Sequence, residues 1–401
     1  ICALTYRHFM TQTSRPSTLY SVQAFRGIAA LLVVLYHLIG TQKRAIPAER
    51  VSEISMLTGF WDQGYAGVDL FFVISGFIMV YVTQNAPRNL KGSARFLFAR
   101  ASRIYPLWWV YLGVMMLYFL AAYGQVSQPN YGTEISDIIR QTVRSIFLMP
   151  QKAMPILITG WTLVHEMMFY IVFAFVLLLP RAWLPWVMIF WAALVPAAVT
   201  QFGAPVHSPN YLVMVLSPLS LEFIFGALTA WILLKTHGRW AKTAIMLGVI
   251  GLSLALVIGI DLNGPPIRWN EVVIFEITIL RVLIYGLPFA VLLYGVVVLE
   301  RAGRLRTPQW LVRLGDWSYS LYLSHLLVVM TLVRLAEAAS PYLPAALRHE
   351  AEGLTGNIIF TGAAIAACVI FSALSYHLIE QPLLRGARKI WPRKAVAASA
   401  A

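Results

Sequence analysis

Ten apolar stretches, each about twenty residues long and closed by proline, glycine or charge, constrain this chain more than any other feature. They cover approximately 22–40, 65–83, 104–123, 160–180, 182–201, 211–234, 241–260, 272–299, 317–336 and 356–379. About 20 mostly apolar residues in a helix cross a bilayer, because hydrocarbon offers no partner for a backbone amide except within the segment itself. The chain therefore reads as an all-α polytopic membrane protein of about ten transmembrane helices. The stretches 160–180 and 182–201 are split only by Pro180 and Arg181 and predict a tight helical hairpin. The eighth is long enough to tilt or to break at Pro288. Three longer gaps remain, 41–64, 84–103 and 124–159, the last with an amphipathic segment around Ile138 to Phe147. Residues 1–17 read as an N-terminal tail, 18–384 as the ten-helix membrane domain and 385–401 as a basic cytoplasmic tail.

Composition agrees. Only 12% of residues are charged, against about a quarter in soluble domains, and 59% are hydrophobic. A soluble enzyme and a disordered chain are excluded. A net charge of +14 on a soluble protein would suggest nucleic acid. Here the positions of the charges give another reading. With the N-terminus placed inside, 21 of the 31 Lys and Arg residues fall on inner segments and 8 on outer loops, so both termini are expected to be cytoplasmic and nucleic acid is not an expected partner. The first apolar run, Val22 to Ile39, has no small-x-small cleavage site after it and contains Arg26 and His37, so it reads as a retained span. Cys2 and Cys368 make neither a disulfide framework nor a metal site.

Charge inside a bilayer is costly and marks candidate chemistry. His37, Asp69, His165, Glu166, Glu222, Glu276, Arg281 and His325 lie within spans, with Arg26 and His377 near span ends. Arg26 and His37 are eleven residues apart, which returns to within about 20° of one helix face about 16 Å along the axis. A guanidinium fork at the inner end suits a phosphate-bearing ligand, and an imidazole at the outer end suits general-base work near neutral pH. The same pair also reads as a topology anchor and an interfacial hydrogen-bonder. Arg100 and Arg103 share a face, and with Arg95 they form an anionic-ligand patch or a row facing lipid headgroups.

In Gly64-Tyr-Ala-Gly-Val-Asp-Leu-Phe-Phe-Val-Ile-Ser-Gly-Phe77, Gly64, Gly67 and Gly76 permit close helix approach, Ser75 can bond across an interface, and Asp69 reads best as a cap or an arginine partner. Trp161/His165 and Glu166/Tyr170 are i, i+4 pairs, and a Glu166 within reach of His37 would orient its imidazole as in a His–acid dyad. His165-Glu166 is no zinc signature, since position 169 is Phe169, and no metal is expected. Ser318, Tyr322 and His325 form a polar stripe that must face the bundle interior, as a site lining or as glue between helices. Glu276 and Arg281 read as structural partners of each other or of this stripe, and His377 and Glu380 as packing at a helix end.

These residues resemble the blocks of the membrane acyltransferase-three family, the O-antigen, exopolysaccharide and nodulation-factor O-acetyltransferases. The blocks are Arg26 to His37, Gly-Val-Asp-Leu-Phe-Phe-Val-Ile-Ser-Gly-Phe, Arg-Ile-Tyr-Pro, Trp-Thr-Leu-x-x-Glu-x-x-Phe-Tyr, Ser-Tyr-Ser-Leu-Tyr-Leu-x-His and Ile-Glu-Gln-Pro, in order along essentially the whole chain. The single-domain length resembles exopolysaccharide-type members. His165 beside Glu166 departs from the usual pattern and leaves open which histidine is the base.

The resemblance implies an O-acyltransferase of the bacterial inner membrane, moving an acyl group, most readily acetyl, from cytoplasmic acyl-CoA to a hydroxyl of a polysaccharide or lipid-linked glycan. It implies no bound cofactor, with acyl-CoA as co-substrate. Catalysis would fall to His37 and Glu166, His37 acting as general base or accepting the acyl group transiently. Arg26, Arg95, Arg100 and Arg103 would bind the donor. Tyr36, Asp69, Ser75, Trp161, His165, Tyr170, Ser318, Tyr322 and His325 would shape the site or bind the acceptor. The rival class is a transporter or flippase of a glycan or lipid-linked intermediate, which predicts two similar halves with paired broken helices, and no such repeat is evident.

Overall fold

A computed structural model of the protein describes residues 19–46, 63–121, 135–236, 238–258, 267–269, 272–274, 278–344, 348 and 354–390. The chain runs through α1 (Tyr20–Ala45), α2 (Ala66–Val82), α3 (Leu90–Ala121), α4 (Ile135–Ile146), α5 (Gly160–Val176), α6 (Leu184–Phe202), α7 (Tyr211–Val215), α8 (Leu219–Lys235), α9 (Ala241–Ile258), α10 (Ile279–Arg301), α11 (Gln309–Ala339), α12 (Leu354–Ser375) and α13 (Gln381–Ile390). A two-stranded antiparallel hairpin, β1 (Ile267–Trp269) and β2 (Val272–Ile274), is the only sheet among the described residues.

Among the described residues, six stretches are long and apolar enough to cross a membrane by length and composition: Tyr20–Arg44, Gln63–Val82, Arg181–Phe202, Ile279–Arg301, Gln309–Tyr342 and Thr355–Ala387. Gly160–Val176 and Ala241–Val257 are shorter apolar helices. Exposed Trp186, Phe190, Val257 and Ile370 place large apolar surface outward, as lipid solvation of a bundle requires.

The expected hairpin around Pro180 and Arg181 is present, with a single 3₁₀ turn at Arg181–Trp183 leading into α6. Helix α3 differs from expectation. It starts at Leu90, well before the predicted 104, because Asn89 caps it by accepting a hydrogen bond from the Gly92 amide at 2.9 Å. The cationic turns carrying Arg95, Arg100 and Arg103 are thus part of the rod. The predicted span 211–234 divides into α7 and α8 at Leu216–Pro218, where Pro218 sets the start of α8. Helix α10 begins at Ile279, capped by the Thr278 hydroxyl, and runs unbroken through Pro288. The amphipathic segment forms α4, with Ile139, Val143 and Phe147 exposed while Gln141 and Ser145 are buried.

Close helix pairs organise the bundle, among them α2 with α8 and α1 with α11. A Cβ on Gly76 would strike the Phe223 carbonyl and one on Gly226 the Val73 carbonyl, so α2 and α8 touch backbone to backbone. A Cβ on Gly315 would likewise strike the Gln23 carbonyl, which draws α11 onto α1. Phe169 joins the first pair to α5 and α6, stacking on Phe223 at 4.0 Å and on Trp191 at 5.2 Å. Glu300 of α10 accepts the amides of Tyr20 at 2.6 Å and Ser21 at 3.0 Å, placing a carboxylate at the positive end of α1. One turn on, the Gln23 amide group donates to Asp316 of α11 at 3.1 Å and its oxygen accepts from Arg26 at 3.1 Å. Arg26 is therefore aimed by Gln23, which Asp316 in turn holds.

Candidate active site

A cavity of about 110 Å³ opens where α1, α2, α3, α5 and α11 meet. Three guanidiniums from two helices line it: Arg26 of α1 and Arg100 and Arg103 of α3. The three-residue spacing puts Arg100 and Arg103 on one face, as the sequence predicted, and the Arg100 guanidinium lies over the rings of Phe96 and Tyr170 at 5.6 and 5.8 Å. Arg95 is eight residues from Arg103, about 80° round the helix, and is not on the cavity wall.

Glu166 is the one carboxylate on that wall. Its Oε1 accepts a hydrogen bond from Ser75 of α2 at 3.0 Å and another from Tyr170, one turn along α5. No ion pair joins Glu166 to an arginine of the cavity among the described residues. The predicted Glu166–His37 dyad is not formed, because the i, i+4 phenol and the facing serine already hold this carboxylate. With three guanidiniums and one carboxylate, the wall of this partly buried cavity carries an excess of two positive charges, an arrangement suited to phosphate.

Ser318 and Tyr322 of α11 line the cavity too, so the predicted polar stripe does face inward. The Ser318 hydroxyl is fully buried with no hydrogen-bond partner among the described residues. The Tyr322 hydroxyl shares a 2.6 Å hydrogen bond with Thr162 and donates to the Thr159 carbonyl at 3.2 Å. The Phe71 ring meets the Tyr322 ring edge-on at 5.7 Å. Beyond this aromatic layer the stripe continues to His325, whose ring centroid is 6.0 Å from that of Tyr322.

His325 and His37 form a pair. His325 Nε2 lies 3.3 Å from His37 Nδ1, with ring centroids 4.9 Å apart and planes tilted by 58°. His37 Nδ1 is also 2.9 Å from the Val33 carbonyl, and His325 Nδ1 is 2.8 Å from the Tyr322 carbonyl and 3.2 Å from that of Leu321. Tyr36 packs edge-on against His37 at 5.4 Å and against Tyr65 at 5.9 Å. The shared face of Arg26 and His37 thus separates into two stations, a cationic cavity and a histidine pair, one aromatic layer apart.

Other predicted site residues serve elsewhere. His165 Nε2 donates to the Val206 carbonyl at 2.8 Å, and its ring packs between Trp161 and Phe72; neither His165 nor Trp161 lines the cavity. That histidine pins the link between α6 and α7. Asp69 is fully buried and bonds Arg281 at 2.7 and 3.2 Å, which is the arginine-partner reading of the sequence. Arg281 is therefore matched across helices, and Glu276, its other expected partner, lies outside the described residues. Glu380 accepts from Ser320 at 2.7 Å, in keeping with packing at a helix end. Sequence reasoning missed Thr162, Phe71 and Tyr319 on the wall. Thr162 carried a usable signal, since it sits four residues before Glu166 on the same face of α5.

A family model described as an acyltransferase domain matches residues 19–377. The exopolysaccharide production protein ExoZ of Rhizobium meliloti is 31% identical over 333 residues, covering 81% of this chain and 91% of that protein. The acyltransferase MdmB of Streptomyces mycarofaciens is 25% identical over 390 residues, covering 91% of each. No solved structure matches the chain.

Proposed function

The chain belongs to the family of this acyltransferase domain, and from that premise we propose that it is an O-acyltransferase of the bacterial inner membrane. It moves an acyl group, acetyl first, from cytoplasmic acyl-CoA to a hydroxyl of an exported or cell-surface polysaccharide. The bundle has about ten spans with both termini cytoplasmic, which puts Arg26 inside and His37 towards the outer face. The observation that carries the reading is a cavity wall with three guanidiniums and no ion pair among them.

Arg26, Arg100 and Arg103 take the donor phosphates, where planar forks give bidentate bonds of set direction. The thioester arm passes the layer of Phe71 and Tyr322 to reach His37. There His37 takes the proton of the acceptor hydroxyl while its oxygen attacks the thioester carbonyl carbon. The C–S bond breaks, the ester C–O bond is complete, and His37 passes the proton it took to the departing thiolate, so the products are the ester and free CoA and His37 is neutral again. Ser318 offers a spare hydrogen-bonding group along this path. An identity of 31% to an exopolysaccharide production protein supports a polysaccharide acceptor.

The test is acetyl transfer from labelled acetyl-CoA in proteoliposomes supplied with exopolysaccharide fragments. His37→Ala is expected to lower turnover by about 10²–10⁴, the usual worth of a general base, with donor affinity unchanged. Undiminished turnover in His37→Ala would remove the base. Failure of the wild type to bind any acyl-CoA would return the chain to the transporter class. Label found only on cytoplasmic lipid-linked glycan would reverse the assigned side of acceptance.

A further inference from the structure

We infer that His325 is a positioning residue for His37: it joins the Val33 carbonyl in holding the Nδ1–H tautomer, which leaves Nε2 as the lone pair offered to substrate, and it is the side-chain acceptor against which the His37 imidazolium forms. Calling His37 the base rests on the proposed reaction; the tautomer follows from the hydrogen bonds alone. A backbone carbonyl accepts and never donates. Because His325 Nδ1 sits 2.8 Å from the Tyr322 carbonyl, that nitrogen carries the ring hydrogen. A neutral His325 then has its lone pair on Nε2, the atom that faces His37.

The same logic applies to the partner ring. His37 Nδ1 lies 2.9 Å from the Val33 carbonyl and 3.3 Å from the lone pair of His325 Nε2. Both neighbours are acceptors, so Nδ1–H is shared between them and no alternative tautomer satisfies the pair. The proton pattern is directional: His37 donates to His325, and His325 donates to the backbone of its own helix. Nothing is left over on the His325 side, which is fully buried. On the His37 side, Nε2 is left as the free basic nitrogen.

This is the role the sequence assigned to Glu166, performed by a neutral acceptor in place of a carboxylate. A neutral partner has a consequence. When His37 takes the substrate proton, its Nδ1–H becomes a charge-assisted donor and the bond to His325 strengthens, so positive charge develops against an acceptor already in place. Two charged imidazoles could not share this contact, and His325, with its only free lone pair turned to His37, is the member that stays neutral.

The measurement is ¹⁵N NMR of the full chain in nanodiscs with ¹⁵N-histidine, His37 being assigned by loss of its signals in His37→Ala. The wild type is expected to show a protonated Nδ1 and an unprotonated Nε2 on His37. Finding Nε2–H in the wild type overturns the inference, whatever the variants do. In kinetics, His325→Leu is expected to lower kcat by on the order of 10² or more with the donor KM unchanged, because the Val33 carbonyl keeps the tautomer but the His37 imidazolium loses the side-chain acceptor that faces it. His325→Gln restores an acceptor oxygen at similar reach and is expected to recover most of that loss. Full kcat in His325→Leu, or equal loss in both variants, counts against positioning. Full activity in His37→Ala would sink the base assignment instead and leave the tautomer result standing, so the two failures are distinct.

Discussion

Helix α2 serves two charged regions that treat their charges in opposite ways. Asp69 and Ser75 are six residues apart and so project about 120° from each other. On the Asp69 side, Arg281 is bonded to both carboxylate oxygens and stacked on the Tyr65 ring at 4.4 Å. On the Ser75 side, Arg26, Arg100 and Arg103 surround a cavity whose only carboxylate is held by neutral hydroxyls. A buried arginine matched by its own carboxylate is a rivet between α2 and α10, and its charge is not available to a ligand. Guanidiniums that line a partly buried cavity with no ion pair among the described residues carry a field that a phosphate group can complete. The contrast shows that an intramembrane charge marks function when its protein partner is missing, and architecture when the partner is there.

One arginine from each side gives the most direct test of this contrast. Removing one member of a buried pair leaves the other as an uncompensated charge, which costs about 3–5 kcal/mol. Arg281→Met strands Asp69, beside which the buried Glu222 already places a second carboxyl group. That variant is expected to lose several kcal/mol in reversible denaturant unfolding in detergent, or to fail to accumulate. Arg103→Gln removes a charge that has no ion-pair partner. It is expected to unfold within about 1 kcal/mol of wild type while its donor KM rises tenfold or more, close to the 1.4 kcal/mol that a tenfold change represents. Equal destabilisation by the two variants would erase the distinction between rivet and site.

Much of this division could be read along one helix and little of it across helices. The eleven-residue spacing set Arg26 and His37 on a common face of α1, and the 3, 4 and 7 spacings drew the Arg100/Arg103 and Ser318/Tyr322/His325 faces, because helical periodicity is a local rule. The apolar runs located many of the helices, six of them long and apolar enough to cross a membrane among the described residues, but misplaced the start of α3, since a hydropathy window ends at Arg103 whereas the backbone continues to the Asn89 cap. Partners were out of reach. Asp69 meets Arg281 across 212 positions and His37 meets His325 across 288, and no spacing rule connects such residues. The expected Glu166–His37 dyad failed for a local reason that was itself visible, as Tyr170 stands one turn from Glu166 and takes the carboxylate first.

Glu166 gives the finest test of the cavity side. If the wall recognises the donor by net charge, its one carboxylate opposes binding, and deleting that charge while keeping its shape must tighten the donor. Glu166→Gln keeps an oxygen to accept from Ser75 and Tyr170, so the local hydrogen bonds survive. A unit charge removed at several ångströms in a partly screened site is worth about 0.5–1.5 kcal/mol. Isothermal titration of the purified protein with acyl-CoA is therefore expected to give a Kd several-fold lower than wild type, with the gain shrinking as salt is raised. The same substitution on the other face, Asp69→Asn, should leave donor Kd unmoved and cost folding stability. A Glu166→Gln protein that binds donor more weakly would mean that this carboxylate serves the ligand itself, and the division of α2 into a paired and an unpaired side would have to be redrawn around it.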